Sequence, residues 1–380
     1  MATISSFSKT TIFFILFLPL LWLHYFRTKK INSTLLKLSF HEPDPHRFLP
    51  KISVGVPNVQ APQSRPSSSL SFSYDIDDPI GPQNWHDVDI SENEWLRFKG
   101  KRQIDLHRTN INQCNVNRIT SPINLMYPDE ECGATHEIKT KLHPNIQCSI
   151  RDFSFSITSS GLRAEVPSNN DDTCIRPVID LPNGFPFPWV LAWIEIKARS
   201  EHLIEGRRYD GEMLMVHLGK NQHKNQVTIV SVMLDSTTSY YESNDRIEAY
   251  LNRWEGVYYT IAQRCEKSVD KINSNVEYPK ERDPIRPFPY DIWPTDQFYR
   301  YRGSITTPPC TAMVNWRVLD EPIKISRHQF KRIASLINNA MDPKTCQYIS
   351  AASSKGEVNR PLQQFDYNHQ DLNHCTKDYF

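Results

Sequence analysis

The side chains able to do chemistry in this 380-residue chain gather in one stretch, Trp189 to Gly219, WVLAWIEIKARSEHLIEGRRYDGEMLMVHLG. It carries Glu195, Lys197, an adjacent Glu201-His202, Glu212 and His217. Residues two apart on a strand point to one side, so Trp193, Glu195 and Lys197 share a face, and Ala192, Ile194 and Ile196 the other. A carboxylate and an ammonium so placed can pair, which at a surface is worth under about 1 kcal/mol. His217 follows Leu214 by three and therefore faces away from it, as a histidine satisfied beneath the sheet. Catalytic zinc needs about three protein ligands and one open position for water. No histidine occurs between His143 and His202, so Glu195 is the one metal-ligand type that this first strand offers in any register.

The elements that must hold these residues follow from patterning. Trp189–Arg199 and Glu212–Leu218 read as two strands around a polar hinge. Cys148–Ser160 alternates as a further strand, and Asn225–Leu234 is β-branched and apolar enough for a buried one. Asn244–Val257 has helical amphipathicity and continues loosely to Cys265; Val314–Leu319 predicts a strand and Ser326–Asn338 a helix. A Ser-x-x-Glu capping box (Ser91, Glu94) predicts a short helix within Ser91–His107. Residues 266–297 are polar and proline-rich, with a turn at Arg286–Pro289.

Ahead of the domain, residues 1–10 form a polar tail and 11–26 an apolar run, a signal-anchor or a signal peptide. As a helix this run spans about 24 Å, short against a bilayer core of about 30 Å. Arg27, Lys29 and Lys30 follow it and by themselves favour the cytosolic side, but a large domain translocates regardless. Residues 27–73 form a Pro/Ser-rich stem, with Asn32-Ser33-Thr34 as a glycosylation triplet. The domain proper occupies 74–364, and 365–380 is a C-terminal tail. No internal repeat is visible.

A formal charge of +1 and the absence of a basic, aromatic-laced stripe argue against a nucleic-acid partner. With 39% hydrophobic and 11% aromatic residues the composition suits a globular β-rich domain, and 27 prolines against 12 glycines predict stiff connections. The 8 cysteines (Cys114, Cys132, Cys148, Cys174, Cys265, Cys310, Cys346, Cys375) form no CxxC pair and lie near no histidine at zinc-finger spacing. An even, dispersed set fits an oxidising compartment.

Several motifs together resemble the α-carbonic anhydrases. They are Gly81-Pro82-Gln83-Asn84-Trp85, Ser121-Pro122-Ile123-Asn124-Leu125, Ser200-Glu201-His202, Gly206-Arg207-Arg208-Tyr209, Glu212…Val216-His217, Tyr301–Cys310 (YRGSITTPPC) and Asn359-Arg360-Pro361-Leu362-Gln363. They run in family order over about three quarters of the chain. The resemblance implies a mainly β fold with peripheral helices, built on a large, twisted, mostly antiparallel sheet. It puts the three zinc-histidine positions on Trp193, Glu195 and Leu214, none of them histidine. In active members zinc-bound hydroxide attacks CO2, oriented by a threonine–glutamate pair; the matching residues are Thr306 and Glu201, expected here as structural relics. Glu212 matches the residue that orients the third histidine and must find another donor. His202 is expected to bond Tyr301. The histidine that often shuttles protons has no counterpart in 148–160. Extracellular relatives pair the positions of Cys114 and Cys310; the pairing of the other six cysteines stays open.

The function so implied is non-catalytic: a carbonic-anhydrase-related protein in the secretory pathway or outside the cell, binding a protein or small-molecule ligand, with no cofactor and with membrane attachment through 11–26 if that segment is uncleaved. The alternatives are an active carbonate dehydratase using zinc at an atypical site, and a purely structural surface domain.

Overall fold

The computed structural model describes residues 71–89, 112–115, 118–126, 139–141, 150–167, 176–181, 189–219, 226–237, 243–265, 293–366, 368 and 370–375. All lie in one compact unit, Ala61–Phe380. The apolar run 11–26, the stem up to residue 70, the helix expected within Ser91–His107 and the turn at Arg286–Pro289 lie outside the described residues. No described helix is long and apolar enough to cross a membrane.

Fourteen strands are described: β1 (Asn124–Leu125), β2 (Lys139–Lys141), β3 (Ser154–Ile157), β4 (Leu162–Glu165), β5 (Val178–Asp180), β6 (Trp189–Ala198), β7 (Leu203–Ile204), β8 (Arg207–Arg208), β9 (Gly211–Leu218), β10 (Val227–Asp235), β11 (Phe298–Gly303), β12 (Val314–Leu319), β13 (Ile323–Lys324) and β14 (Asn373–Cys375). The main sheet runs β14-β11-β12-β10-β9-β6-β4-β3, with β13 on β10 and the β2–β5 pair on β6; β1, β7 and β8 make a separate small sheet. β10 pairs in parallel with β12 and β13, and the other pairs of the main sheet are antiparallel. The sheet is therefore mixed but mostly antiparallel, as expected.

Sequence patterning locates most elements to within two residues. The strand expected over Cys148–Ser160 is shorter: Ile150–Asp152 forms a 3-10 turn and only Ser154–Ile157 pairs. β14 lies in the segment expected as a tail, where it hydrogen-bonds to the outer edge of β11. Helix α1 (Asp245–Cys265) keeps its register to its last residue, and α2 (Arg327–Asn338) starts at a capping box in which Ser326 and Gln329 satisfy each other's backbone N–H. Arg332 of α2 clamps both Glu248 and Glu255 of α1, each at 2.7 Å.

β6 separates two apolar clusters. Ile194 and Ile196, with Met213 and Met215 of β9, pack toward the helices with Trp254 and Ile333. Trp193, with Leu214 and Val216 of β9, packs on the other side with Ile229, Ile305 and Trp316. Strict alternation fails once: the β6–β9 register shifts between Leu191 and Trp193, and Ala192 joins the Trp193 cluster rather than that of Ile194.

Two disulfides join described residues. Cys114–Cys310 has a Cα–Cα distance of 4.9 Å and ties the approach to β1 to the loop after β11. Cys265–Cys346, at 5.5 Å, ties the end of α1 to the segment after α2. Cys375 is also disulfide-bonded, and no described cysteine is free.

Candidate functional site

Antiparallel pairing sets Glu195 of β6 between Leu214 of β9 and Arg163 of β4, while Lys197 stands opposite Glu212 and Trp193 opposite Val216. The face expected to carry Trp193, Glu195 and Lys197 together is thus built. It is buried rather than open to a cavity: Glu195 and Lys197 are each 1% exposed. The Glu195–Lys197 pair, weighed from the sequence at its surface worth, is an interior ion pair, which changes its energetics.

Both oxygens of Glu195 meet cations. Oε2 accepts from Arg163 Nη2 at 3.1 Å, and Oε1 lies 3.0 Å from Lys197 Nζ with the Ser160 hydroxyl at 3.4 Å. Burial alone would raise the Glu195 pKa, but Lys197 and Arg163 outweigh it and bring the pKa to about 2. Burial likewise works against the Lys197 ammonium, yet Glu195, with Tyr74 and Glu201, holds its pKa above the ordinary lysine value. Lys197 also donates to Tyr74 Oη at 3.3 Å, and the Arg163 guanidinium lies 5.2 Å from the centre of the Trp193 ring. The approach of Gly161 makes room for this cluster, since a Cβ there would stand 2.7 Å from the Ile196 carbonyl oxygen and 3.2 Å from Glu195 Oε1.

Glu201 continues the network. Its Oε1 lies 3.9 Å from Lys197 Nζ, and its Oε2 accepts the Arg360 backbone N–H at 2.9 Å. Burial pushes its pKa up to about 7, against the pull of Lys197, that N–H and the side chain of Thr306. Thr306 itself is buried.

Glu212 has found its donors. Oε2 accepts the backbone N–H groups of Glu201 and His202 at 2.8 and 2.9 Å, and Oε1 bonds His202 Nδ1 at 2.8 Å. Burial opposes ionisation, but these partners keep its pKa below the ordinary value. His202 Nε2 meets Tyr301 Oη at 2.5 Å, and Tyr301 Oη meets Ser121 Oγ at 2.8 Å. The chain Glu212–His202–Tyr301–Ser121 fixes the β6–β9 connection against β11 and the start of β1. His217 is fully buried and its pKa falls to about 3 through burial, so it is a neutral imidazole at physiological pH.

These residues do not fit a zinc ion. Leu214 has no lone pair to offer a metal, the Trp193 indole N–H only donates hydrogen bonds, and Lys197 is held protonated. Glu195 is already paired with two cations, so a dication beside it would meet their repulsion. Among the described residues no group of three His, Cys, Asp or Glu side chains is arranged to hold a metal ion. Sequence reasoning anticipated Glu195 and Lys197 but missed Arg163, Tyr74 and Arg360, which reach the cluster only through long-range pairing. The alternation of β4 was the one available sign of Arg163.

Comparison with known proteins agrees with this architecture. The family described as eukaryotic-type carbonic anhydrase matches residues 107–367. Alpha carbonic anhydrase 7 of Arabidopsis thaliana is 25% identical over 293 residues, 75% of this chain and 84% of its own. Dioscorin DB3L of Dioscorea polystachya is 24% identical over 269 residues, 70% of this chain and 78% of its own. Among solved structures, the α-carbonic anhydrase of Thermovibrio ammonificans in complex with sulfanilamide aligns with a TM-score of 0.50 at 20% identity, covering 80% of this chain and 98% of that one.

Proposed function

The chain belongs to the eukaryotic-type carbonic anhydrase family, and from that premise we propose that it is a non-catalytic member whose domain serves binding or interaction in the lumen of the secretory pathway or outside the cell. One observation carries this reading: Glu195, the one metal-ligand type expected on the central strand, contacts Arg163 at 3.1 Å and Lys197 at 3.0 Å. Breaking a buried pair by withdrawing one partner strands a charge at a cost of about 3–5 kcal/mol, so a metal would have to compete with that network for a single carboxylate. Leu214 and Trp193, each 2% exposed, occupy the rest of the position with apolar surface. Glu201, Glu212 and Thr306 then act as structural residues, and no cofactor takes part.

The disulfides Cys114–Cys310 and Cys265–Cys346 support an oxidising compartment. Residues 11–26 serve as the signal for entry, either retained as a membrane anchor or cleaved.

Elemental analysis of the purified full-length protein, with stopped-flow CO2 hydration, tests the reading. The expected result is well under one zinc per chain and no hydration above buffer. Stoichiometric zinc with measurable hydration would overturn it in favour of an atypical metal enzyme.

A further inference from the structure

Strands β11 and β12 carry a second charged arrangement, on the sheet side opposite to Glu195, that the central network does not use. Arg300 and Arg302 alternate on β11, and the antiparallel register sets them opposite Arg317 and Asn315 of β12. Like charges directly opposite on neighbouring strands repel. Among the described residues neither member of the Arg300–Arg317 pair has a carboxylate partner. Arg300 Nε donates to Asn373 Oδ1 at 2.9 Å, Arg317 Nη1 donates to the Trp316 carbonyl at 2.7 Å, and the Arg317 guanidinium lies 5.9 Å from the centre of the Phe298 ring. Arg317 is 7% exposed, and burial, reinforced by the charge on Arg300, lowers its pKa to about 9.

One step along the same strands the charge meets a cavity. Arg302 and Asn315 line a space of about 430 Å³ with Gln226, Ile119 and Met313, where β11 ends at Gly303 and β12 begins at Val314. Asn315 is nine-tenths buried, Arg302 is exposed, and neither side chain has a hydrogen-bond or ion-pair partner among the described residues. Gln226 Oε1 is buried and, among the described residues, accepts no hydrogen bond. The volume suits a small organic ligand, a guanidinium fork matches an oxyanion, and a buried acceptor without a donor calls for an N–H or O–H.

We propose that this cavity binds a small hydroxylated oxyanion, a carboxylate or a phosphate ester. Arg302 and the Asn315 amide hold the oxyanion, Arg300 and Arg317 supply the positive field behind them, and a ligand hydroxyl donates to Gln226 Oε1. The site shares no residue with the Glu195 network, so its test and the zinc assay fail independently.

Calorimetric titration of the full-length protein at low ionic strength tests it with citrate, glycerol 3-phosphate and tricarballylate, the last being citrate without its hydroxyl. Saturable binding of citrate or glycerol 3-phosphate with a Kd of about 1 mM or below is expected, and the tighter of the two identifies the anion class. Arg302→Gln should weaken that binding at least about tenfold while leaving the thermal unfolding midpoint unchanged, because Arg302 is exposed. Gln226→Leu should erase the preference for the hydroxylated ligand over its analogue. Absence of saturation by either anion up to about 10 mM, or binding by Arg302→Gln equal to that of the parent, would overturn the proposal.

Discussion

Replacing Glu201 by glutamine should make the protein more stable, and only above a definite pH. Burial raises the Glu201 pKa from 4.5 to about 7. Between those values the folded chain still holds a proton that the unfolded chain has released, so unfolding becomes easier as pH rises. Below about pH 4.5 the group contributes no difference; above about pH 7 the penalty is complete. At about 1.36 kcal/mol for each tenfold change in proton affinity, the rise from 4.5 to about 7 corresponds to about 3 kcal/mol. Glutamine keeps an oxygen for the Arg360 N–H and never ionises. Other titrating groups act in the same range: His217, lowered to about 3, makes folding more favourable as pH climbs toward 6.5, and Glu195, lowered to about 2, does so up to 4.5. These groups are common to both proteins, so the difference between parent and variant isolates Glu201. Urea unfolding at pH 4.5 and pH 8 should give a gap near zero at the first and about 3 kcal/mol in favour of Glu201→Gln at the second. A gap that does not grow with pH, or one favouring the parent at pH 8, would show that the Lys197 ammonium outweighs burial at 3.9 Å and refute the reasoning.

Glu195→Gln should destabilise by about 3–5 kcal/mol at pH 7, since it leaves Arg163 and Lys197 buried without their shared anion; denaturant unfolding that loses under about 1 kcal/mol would contradict the buried network. Replacing Cys114 and Cys310 together by serine opens a closure spanning 196 residues, and a drop of about 5 kcal/mol in unfolding free energy is expected from loop entropy; an unchanged midpoint would show that other contacts already close the loop. Changing Glu195, Lys197 and Leu214 together to histidine should create a zinc site, because 195 and 197 share one side of β6, Leu214 stands opposite 195 and Glu212 stands opposite 197. The Trp193, Glu195, Leu214 triple histidine variant should bind zinc more weakly because Lys197 keeps its charge, and equal affinities in a chelator competition would rule out the ammonium as the obstacle.

Much of the fold was legible because strands and helices write their period into local sequence. Val314–Leu319 emerges as β12 and the Ser326 cap as the start of α2 for that reason. What the sequence concealed was depth. Glu195 and Lys197 alternate with isoleucines as charges do on a solvated strand face, and nothing local says that the whole of β6 is buried. Their burial depends on Arg163 arriving from β4 and Tyr74 from before the first strand. The 159-residue separation between Glu201 and the Arg360 N–H is of the same non-local kind. The bulge after Leu191 was equally hidden, because register is a property of a pair of strands and not of either alone.

The charge on this buried face also supports the proposal that no metal binds there. Its carboxylates are Glu195, Glu201 and Glu212, and its cations are Arg163, Lys197 and Arg360. With the Glu201 pKa pushed up to about 7 by burial, the face below neutrality holds two carboxylate charges against three cationic ones. A dication added to that set would leave three positive charges in excess in a region where burial already strains each ion, and relief would require losing protons from lysine or arginine side chains that do not give them up readily. A histidine site faces no such obstacle, because neutral imidazoles bring no charge of their own. The lysine at 197 therefore acts as the resident cation of the site. It supplies from a covalently attached side chain the positive charge that Glu195 requires.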